Sequence, residues 1–598
     1  MRVSVGHLIL IRRMEYITNL KSAKTIHDVG ALLGFQAKAI SYLLYVKPPE
    51  ARYVTFEVAK SSGGKRLIAA PIPELKNLQG RLGEYLQHCL KEIELKQNKG
   101  DNGNTPDRIC HGFKKDRSIL TNARHHRGRR FVFNIDLEDF FGSITFPRVR
   151  GFFMKDRNFL LDSKVATILA QIACFPGGLP QGSPCSPVIS NLIGHILDIH
   201  LVKLAKQSNC TYTRYADDLT FSTNERVFPS AIAAPSIDSP TNWCAGPELK
   251  RLISASKFKI NESKTRMQYR SSRQIVTGLV VNKKVNIRAE YRRTARAMIH
   301  RLITTGSFDF IKRKTDATGK LVVEKIPGRP TQLHGMLSFI DCVDRATGPA
   351  NHREAIGERD ASGKELMYRR FLMYKEFYAS HAPVLLCEGP TDSIYLTNAI
   401  WRLAGEYPAL MAAGKEGKQR IGVRRFTYTD TNRGRILGID GGADQLRKFI
   451  LDYRDSLSLF KASTSKFPAI VLIDNDSGAK GIFGICKDLA KYKTPSNEPF
   501  MHVCGNLYVV PTPLLGNATQ SCIEDLFKED ALNEEIDGKT FTKANDFDTN
   551  KHYGKMIFAN KIVKAKSAEL DFSGFKPLLE AISSAIAHNE NRIKAVDT

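Results

Sequence analysis

The sequence lacks the features that mark secreted, zinc-binding and membrane proteins. Its 11 cysteines are scattered, with no C-x-x-C pair and no cluster of cysteine and histidine at zinc-ligand spacing. We therefore expect reduced thiols in a cytoplasmic protein rather than a disulfide framework. No apolar run approaches the roughly 18 residues of a membrane span, and the opening "VSVGHLILI" lacks a signal-peptide cleavage pattern. A helical pattern begins only after Met14, which leaves open whether Met1 or Met14 is the native start.

Negative charge is scarce in the first part of the chain. Residues 1–350 carry 55 lysines and arginines against 29 aspartates and glutamates, whereas residues 351–598 carry 34 against 32. Nearly all of the net charge of +28 therefore lies in the first part. The densest stretch, residues 251–300, has 13 basic and 2 acidic residues. An excess of this size predicts a nucleic-acid partner for the first part of the chain. The length of 598 residues predicts two or three domains.

Two adjacent carboxylates stand out in "TRYADDLTFS", at Asp217 and Asp218. The residues around them are aromatic, apolar or β-branched, which predicts a strand or the two arms of a tight hairpin. Burying unpaired carboxylates is costly, so a cation must compensate them. A salt bridge to Arg214 is the plain interpretation, but one arginine cannot easily serve both acids. The alternative is a divalent metal, which requires further acids from elsewhere in the chain.

Other segments supply such residues. In "RRFVFNIDLEDFFGSI" a hydrophobic strand ends at Asp136, and a strand end is a rigid position from which an acid can face a cleft. The segment "GGLPQGSPCSPVISNLI" predicts a tight turn followed by a helix, and its turn contains Gln181 and Gly182. The segment "KFKINESKTRMQYR" adds a basic residue, Lys264, after an amphipathic stretch.

In this order, these segments resemble the palm of reverse transcriptases, over about residues 50–290. The resemblance implies an α+β right-hand polymerase with fingers, palm and thumb, in which Asp136, Asp217 and Asp218 are catalytic and bind two Mg²⁺ ions. It also implies that the ring of Phe141 is a steric gate against ribonucleotides. The predicted substrate-binding residues are Lys65, Arg66, Phe141, Gln181, Gly182 and Lys264.

Two shorter segments narrow the family. "TNARHHRG" contains an N-A-x-x-H pattern and "QIVTGLVVN" contains V-T-G, and both resemble signatures of retron reverse transcriptases. That resemblance implies a cognate structured non-coding RNA, priming from a guanosine 2′-hydroxyl, and a branched RNA–DNA product (multicopy single-stranded DNA, msDNA). The residues predicted to bind RNA are Asn122, His126, Val276, Thr277 and Gly278.

The last 200 residues exceed what a polymerase needs, and their strands alternate with helices. In "APVLLCEGPTDSIYLTNAI" and "PAIVLIDNDSGAKGIF" acids follow apolar strands, which predicts an α/β domain with a mainly parallel sheet. The E-G-x-x-D and D-x-D patterns resemble the TOPRIM domain, of the branch found in OLD-type nucleases. The resemblance implies catalytic roles for Glu388, Asp474 and Asp476, which with Glu524 would bind one or two Mg²⁺ ions. Lys555 is the predicted lysine that stabilises the transition state.

The sequence thus predicts three parts: fingers and palm at residues 1–285, thumb and linker at 286–378, and a TOPRIM nuclease-like domain at 379–598. This order resembles retron reverse transcriptases fused to a TOPRIM domain. The family implies a nuclease effector in anti-phage defence, with the cognate RNA, its msDNA and a nuclease substrate as partners, and a homo-oligomer bound through the RNA–DNA. Two alternatives stay open: a mobile-element reverse transcriptase with a DNA-cutting domain, and an RNA-binding scaffold with an inactive TOPRIM module.

Overall fold

The chain folds into two compact units in a computed structural model. They are an N-terminal unit, Met1–Arg288, and a C-terminal unit, Ala289–Thr598. The C-terminal unit contains both the predicted thumb and the predicted TOPRIM-like region, so the three-part division stays a prediction. Met1 and Met14 lie outside the described residues. The structure describes residues 15–59, 64–98, 109–236, 239–315, 321–348, 361–428, 431–439, 441–462, 465–490, 499–544 and 546–597.

Helices make most of the core of the N-terminal unit. The longest apolar helix, Ser186–Gln207, begins with Pro187 in its first turn and packs along the central sheet. Among the described residues, no other single helix is long and apolar enough to cross a membrane. Of the 18-residue window of this helix that meets the hydropathy threshold, 67% is buried inside the protein. The helices of this unit are α1 Tyr16–Ser22, α2 Ile26–Leu33, α3 Ala37–Ser41, α4 Pro73–Asn98, α5 Ile119–Arg124, α6 Phe146–Lys155, α7 Ser163–Ala173, α8 Ser186–Gln207 and α9 Pro247–Ala255.

A four-stranded antiparallel sheet lies at the centre of this unit. Its strands lie in the order β4 (Thr211–Tyr215), β5 (Asp218–Thr223), β3 (Phe131–Asp136) and β8 (Arg266–Tyr269), so the strand ending in Asp136 is flanked on both sides. A separate two-stranded hairpin, β1 (Tyr53–Ala59) with β2 (Lys65–Pro71), precedes this sheet in the chain. The strands of this unit are β1 Tyr53–Ala59, β2 Lys65–Pro71, β3 Phe131–Asp136, β4 Thr211–Tyr215, β5 Asp218–Thr223, β6 Ala233–Ser236, β7 Ser239–Ala245, β8 Arg266–Tyr269, β9 Ile275–Val276 and β10 Leu279–Val280.

The segment "YADD" forms a tight hairpin between β4 and β5. Tyr215 pairs with Asp218, which leaves Ala216 and Asp217 as the two residues of the turn. Ala216 has a φ of +56°, the left-handed conformation that two-residue hairpin turns require. In the same sheet Asp136, the last residue of β3, lies opposite Asp218, the first residue of β5. The register therefore brings three acids together at one end of the sheet.

Arg214 neutralises a different acid. Its guanidinium is fully buried and donates to Asp198 of α8, with a distance of 2.7 Å from Nη2 to Oδ2 and of 2.8 Å from Nε to Oδ1. Asp198 also accepts from the Tyr212 hydroxyl, at 2.8 Å. Nη1 of Arg214 donates to the carbonyl of Ala216 at 3.3 Å, so the arginine supports the hairpin turn from below. The structure thus excludes Arg214 as the counter-ion of Asp217 and Asp218.

The C-terminal unit is built around a second, five-stranded sheet. Its helices are α10 Ala289–Thr305, α11 Pro330–Thr347, α12 Gly363–Leu372, α13 Asp392–Arg402, α14 Asn432–Leu437, α15 Ala443–Leu457, α16 Lys480–Ala490, α17 Glu529–Leu532, α18 Lys555–Ile557 and α19 Lys576–Asp597. Its strands are β11 Asp309–Thr315, β12 Leu321–Pro327, β13 Val384–Cys387, β14 Met411–Ala413, β15 Gln419–Ile421, β16 Arg424–Arg425, β17 Ala469–Ile473, β18 Met501–Cys504, β19 Leu507–Pro511, β20 Thr540–Phe541 and β21 His552–Tyr553.

Four strands of this sheet are parallel. The strand order is β16-β13-β17-β19-β18, and only β18 runs antiparallel to its neighbour. The central strands β13, β17 and β19 are buried almost throughout, as apolar strands covered on both faces must be. Glu388 follows β13 directly and Asp474 follows β17 directly. Since these strands are parallel neighbours, both acids lie at the same edge of the sheet.

A buried ion network joins the helical region after residue 289 to this sheet domain. Arg435 of α14 pairs with Asp341 of α11 and, at 3.2 Å, with Glu365 of α12. All three side chains are at most 10% exposed. Breaking one partner of such a network leaves a buried charge uncompensated. The network thus links α11 and α12 to α14 within the C-terminal unit.

The Arg214–Asp198 pair gives a stability prediction. Asp198→Asn leaves the buried guanidinium without a counter-ion, and we expect it to lower the free energy of unfolding of the N-terminal unit by about 3–5 kcal/mol. The measurement is urea denaturation followed by Trp243 fluorescence in a Trp401→Phe background, where Trp243 is the single tryptophan. The double variant Arg214→Met/Asp198→Leu is the control and should recover most of the loss. A loss under about 1 kcal/mol in Asp198→Asn would contradict the buried pair.

Candidate active sites

The first candidate site is the end of the sheet where Asp136, Asp217 and Asp218 meet. Burial and the charge of Asp136 raise the pKa of Asp217. Asp218 is exposed on the cleft side, but the protein packed around it and the charges of Asp217 and Asp136 raise its pKa to about 6. The three carboxylates therefore repel one another, and bound cations would relieve that repulsion.

Lys264 supplies a positive charge at this site. Its Nζ lies 2.9 Å from Oδ1 and 2.8 Å from Oδ2 of Asp136. Asn261 contributes as well, because its backbone N–H donates to the Asp136 carbonyl at 2.8 Å and its side-chain amide donates to Oδ1 at 3.3 Å. Asn261 was not identified from the sequence, although it lies in the quoted segment "KINESK". Whether Lys264 also binds substrate stays a prediction.

A cavity of about 350 Å³ opens beside the acids. Thr277 and Gly278 of the V-T-G segment line it together with Asp136 and Asp218. Arg266, one strand over on β8, lines it too. The geometry thus brings part of the retron-like signature next to the carboxylates, although more than 50 residues separate them in sequence.

The other three predicted RNA-binding residues are buried. His126 is 0% exposed, and its ring nitrogens bond at 2.7 Å to the hydroxyls of Ser222 on β5 and Thr213 on β4. Burial lowers the pKa of His126 well below its usual value, so the ring is neutral. Asn122 and Val276 are 1% and 0% exposed. All three side chains are buried in this structure, and their role in RNA binding stays a prediction. Through its two ring nitrogens His126 braces the hairpin that bears the acids.

The remaining signature contact is between Asn122 and Thr277. The side-chain amide of Asn122 reaches the Thr277 hydroxyl at 3.5 Å, which ties α5 to the V-T-G turn. Thr277 adopts a φ of +45° in that turn, and the glycine after it has a φ of +83°. A turn with two consecutive left-handed residues holds Thr277 and Gly278 at the cavity wall. In this structure Asn122 therefore contacts the V-T-G turn and helps to hold it in place.

The predicted substrate-binding turn packs against β2. Ala69 donates its backbone N–H to the Gln181 carbonyl at 3.0 Å. Gly182 has a φ of +136°, and a Cβ there would lie 2.6 Å from the Ala69 carbonyl oxygen. Only glycine fits this close approach. The contact fixes the "LPQGSP" turn relative to the hairpin that carries Lys65 and Arg66.

Lys65 and Arg66 lie on the exposed part of β2. Lys65 pairs with Glu57 at 2.5 Å, and both side chains are largely exposed. The positive charge of Arg66 acts on Asp217 and partly opposes the rise of its pKa. Phe141 is half-buried, with ring centroids 5.5 Å from Phe140 and 6.1 Å from Phe113. These positions are compatible with the predicted roles and do not test them.

The second candidate site lies at the carboxyl edge of the five-stranded sheet. Oε2 of Glu388 accepts from the Asp474 backbone N–H at 3.3 Å, and Oδ1 of Asp474 accepts from the Ile523 N–H at 3.0 Å. Asp392 is buried at the start of α13 and accepts from the Gly389 N–H at 2.8 Å. Backbone donors from three separate segments thus hold these carboxylates close together.

Asp392 is a site residue to which the sequence analysis gave no role. Burial raises its pKa to about 6, with the charge of Glu524 adding to the effect. Burial, followed by the charges of Asp392, Glu388 and Glu524, raises the pKa of Asp474 to about 7. Burial also raises the pKa of Glu388. Asp392 is the last residue of the E-G-x-x-D pattern, and that position could have identified it from the sequence.

One carboxylate oxygen of Glu524 is buried and unpaired among the described residues. The Glu524 side chain is 0% exposed, its Oε2 accepts from Lys555 Nζ at 3.1 Å, and no group in the described part of the chain donates to its Oε1. Asp476 differs, because it is exposed and its Oδ1 accepts from the Gly478 N–H at 2.8 Å, as in a turn before a helix. The sheet edge therefore gathers Glu388, Asp392, Asp474 and Glu524, with Asp476 at its solvent side.

Both sites have the donor chemistry of a Mg²⁺ site. Carboxylate oxygens are the ligands this ion prefers, and the repulsion at both sites and the orphaned Glu524 oxygen favour a cation. Among the residues that the structure describes, however, no three side chains of histidine, cysteine, aspartate or glutamate are already arranged as metal ligands. The donor chemistry of these residues fits the ion, and their side chains must rearrange when it binds.

Comparison with known proteins defines the class of the first site. Residues 58–287 match the family described as "Reverse transcriptase (RNA-dependent DNA polymerase)", and this stretch contains Asp136, Asp217 and Asp218. The N-terminal unit therefore has the fold of a reverse transcriptase. Among solved structures, apo telomerase from Candida tropicalis aligns over 42% of this chain and 61% of that chain, at 13% identity. Its TM-score of 0.27 is too low to support an argument.

Curated relatives define the family more closely. The chain is 34% identical to the retron Ec86 reverse transcriptase of Escherichia coli over 280 residues, which cover 46% of this chain and 78% of the relative. It is 32% identical to the retron Mx162 reverse transcriptase of Myxococcus xanthus over 365 residues, 56% of this chain and 67% of the relative. The chain belongs to the retron reverse transcriptases.

A third relative shows how far the likeness extends. The retron Mx65 reverse transcriptase of Myxococcus xanthus is 34% identical over 294 residues, which are 46% of this chain and 62% of that relative. The chain thus spans somewhat less than two thirds of this relative, and about half of the chain lies outside the match.

The second site gives a prediction about metal-free stability. Because the pKa of Asp474 is raised, its ionised form destabilises the native state, and this penalty is absent below the unfolded-state pKa and complete above about pH 7. In the presence of EDTA, Asp474→Asn should therefore stabilise the protein at about pH 8 by on the order of 1–2 kcal/mol, and this gain should fade towards about pH 4.

Thermal denaturation at several pH values measures this effect. Asp476→Asn is the matched control, because an exposed carboxylate is solvated and its removal should change the midpoint little. Saturating Mg²⁺ should reverse the order of Asp474→Asn and the unchanged protein, since the asparagine lacks the charge that binds the ion. A destabilised Asp474→Asn protein in EDTA would show that the carboxylate is not under repulsion.

Proposed function

We propose that this protein is a retron RNA-directed DNA polymerase that copies part of a cognate non-coding RNA into msDNA, primed from a guanosine 2′-hydroxyl. The observation that carries this proposal is the shared cavity, in which Asp136 and Asp218 lie beside Thr277 and Gly278. The identity to retron reverse transcriptases supports it.

In this proposal the chain's own residues position the reactants. Asp136, Asp217 and Asp218 would hold two Mg²⁺ ions, which supply activation of the attacking hydroxyl and stabilisation of the leaving pyrophosphate. Lys65 and Arg66 of β2 hold the triphosphate by charge, and the Gly182 turn keeps β2 in place. The Phe141 ring excludes a ribose 2′-hydroxyl from the incoming nucleotide. The neutral ring of His126 holds β4 and β5 in register and so keeps Asp217 and Asp218 aligned.

RNA binding in this proposal is electrostatic and follows the backbone. Helix α10 is amphipathic, with Ala295, Met298 and Ile299 buried. On its exposed face lie Arg292, Arg293 and Arg296. A basic face of this kind binds phosphate groups without distinguishing the base sequence. Recognition of one cognate RNA must then come from its folded shape and from contacts at the active-site cavity.

The polymerase proposal is tested by charge removal at the turn. Asp217→Asn changes volume little but removes a metal-binding charge, so we expect primer extension on an RNA template to fall by at least about 10³-fold. Glu138→Gln is the matched control, because Glu138 is an exposed acid two residues from Asp136 and should leave extension near normal. Undiminished extension by Asp217→Asn would refute the assignment, and sequencing of co-purified nucleic acid would identify the RNA.

We infer a second activity, a Mg²⁺-dependent TOPRIM-type nuclease, for the C-terminal unit. The supporting observation is the group of carboxylates at the edge of a parallel sheet, of which Asp392 and Glu524 are buried and Glu388 and Asp474 half-buried. Among the described residues Oε1 of Glu524 has no hydrogen-bond partner, and Lys555 lies beside that carboxylate. Glu388 is placed to act as acid or base, and Lys555 to stabilise charge on a phosphate. As the effector of an anti-phage system, this activity would be restrained by the bound RNA–DNA.

The two activities should be separable by mutation. Glu388→Gln keeps the acceptor for the Asp474 N–H but loses the charge, so cleavage of nucleic acid and protection against phage should be lost while msDNA remains near normal. Glu406→Gln, an exposed acid paired with Lys576, is the control for the same unit. Cellular msDNA, nuclease activity and phage plaquing are measured in parallel. A Glu388→Gln protein that still protects would mean that the C-terminal unit is a structural module.

A further inference from the structure

A second cavity of the C-terminal unit lies apart from the acids. It has a volume of about 550 Å³ and runs along the outer edge of the five-stranded sheet, between edge strand β16 and helix α13. We call it the edge pocket. The lining residues that matter for its chemistry are Arg420, Arg424, Arg425, Ser393, Thr397 and Trp401.

The three arginines are each anchored to the protein by part of the guanidinium. Arg425 Nη1 donates to the Thr397 hydroxyl and, at 3.2 Å, to the Ser393 carbonyl. Arg420 donates through Nε to the Ala413 carbonyl at 3.1 Å, and the residue is otherwise exposed. An arginine has five N–H donors, so each anchored side chain keeps several donors for a ligand. Anchoring also lowers the entropy lost when a ligand binds.

Arg424 differs from the other two arginines. It pairs with Glu376 through Nη1, at 2.7 Å, and its Nη2 donates to the Glu376 carbonyl. Because consecutive residues of a strand point to opposite faces of a sheet, the guanidinium of Arg424 lies on the face opposite to that of Arg425. Arg424 therefore serves the fold, and Arg420 and Arg425 remain to bind a ligand.

An exposed aromatic side chain lies beside these arginines. Trp401, one of only two tryptophans in the sequence, is 45% exposed where α13 ends. An exposed indole beside guanidinium groups has the chemistry of a base-stacking platform with phosphate donors. Ordinary surface charge does not explain the cluster, because residues 351–598 carry 34 basic against 32 acidic residues. The positive charge here is local.

From these features we propose that the edge pocket binds a nucleotide, with the base stacked on Trp401 and the phosphate held by Arg420 and Arg425. The volume lies within the roughly 300–1,000 Å³ of small-ligand sites. The same chemistry has two sources, a free mononucleotide or one residue of a single-stranded nucleic acid. The inference depends neither on DNA synthesis nor on the nuclease.

Trp401 itself provides the reporter. In a Trp243→Phe background Trp401 is the single tryptophan, so its fluorescence reads this pocket and not the polymerase site. Titration with AMP or with a short oligothymidylate, without divalent metal, should give saturable quenching. Arg420→Gln should weaken that binding by at least about tenfold, the loss of one charge-assisted hydrogen bond. Arg402→Gln, an exposed arginine at the end of the same helix, should bind normally.

The outcomes distinguish a free nucleotide, a residue of a single strand and the absence of a nucleotide site. Quenching by AMP at an affinity equal to that of the oligonucleotide assigns a free nucleotide, whereas quenching by the oligonucleotide alone assigns a strand segment. Binding should persist in Asp217→Asn and Glu388→Gln, so the result is independent of both active sites. Absence of quenching by both ligands, or quenching that Arg420→Gln leaves unchanged while thermal stability is also unchanged, would overturn the proposal.

Discussion

Repulsion between confined carboxylates is the constraint that shapes both units. In the N-terminal unit it acts among Asp136, Asp217 and Asp218, and in the C-terminal unit among Glu388, Asp392, Asp474 and Glu524. In each set two acids stand at or directly after strand ends, Asp136 and Asp218 in one and Glu388 and Asp474 in the other. The backbone there is rigid, which keeps like charges together. One unit uses the register of an antiparallel pair and the other uses parallel neighbours, so two different sheets meet the same electrostatic requirement.

Few positively charged side chains contact the carboxylates of these two sites. Lys264 contacts Asp136 and Lys555 contacts Glu524, which leaves the other carboxylates to burial and to backbone donors. The strong buried pair, Arg214 with Asp198, lies beneath the turn and serves the fold instead. Complete neutralisation by protein cations would remove the attraction for metal. The residual repulsion is therefore what a metal-binding role requires, and stability is lowered locally as a consequence.

The acids at strand ends are visible in the sequence, whereas the place of Asp392 and the contacts around the acids are not. Asp136, Asp217 and Asp218 could be found because acids at the ends of apolar strands are conspicuous in a linear pattern. The burial of His126 could not be found, because its partners Thr213 and Ser222 lie 87 and 96 residues away. The same holds for Arg435, whose partners are 70 and 94 residues distant and tie the predicted thumb helices to the sheet. Long-range pairing of side chains leaves no local periodicity to read.

The uneven charge of the chain suggests why two such sites would occur in one polypeptide. The first 350 residues have a large positive excess, whereas the remainder is nearly balanced. A nearly neutral domain with a carboxylate cluster has little long-range attraction for nucleic acid, since its own acids repel phosphate. Covalent attachment to a strongly basic polymerase raises the local concentration of nucleic acid around it. If the C-terminal unit is a nuclease, as proposed, its access to substrate depends on the polymerase unit, and occupancy of the basic surface by the cognate RNA would govern both.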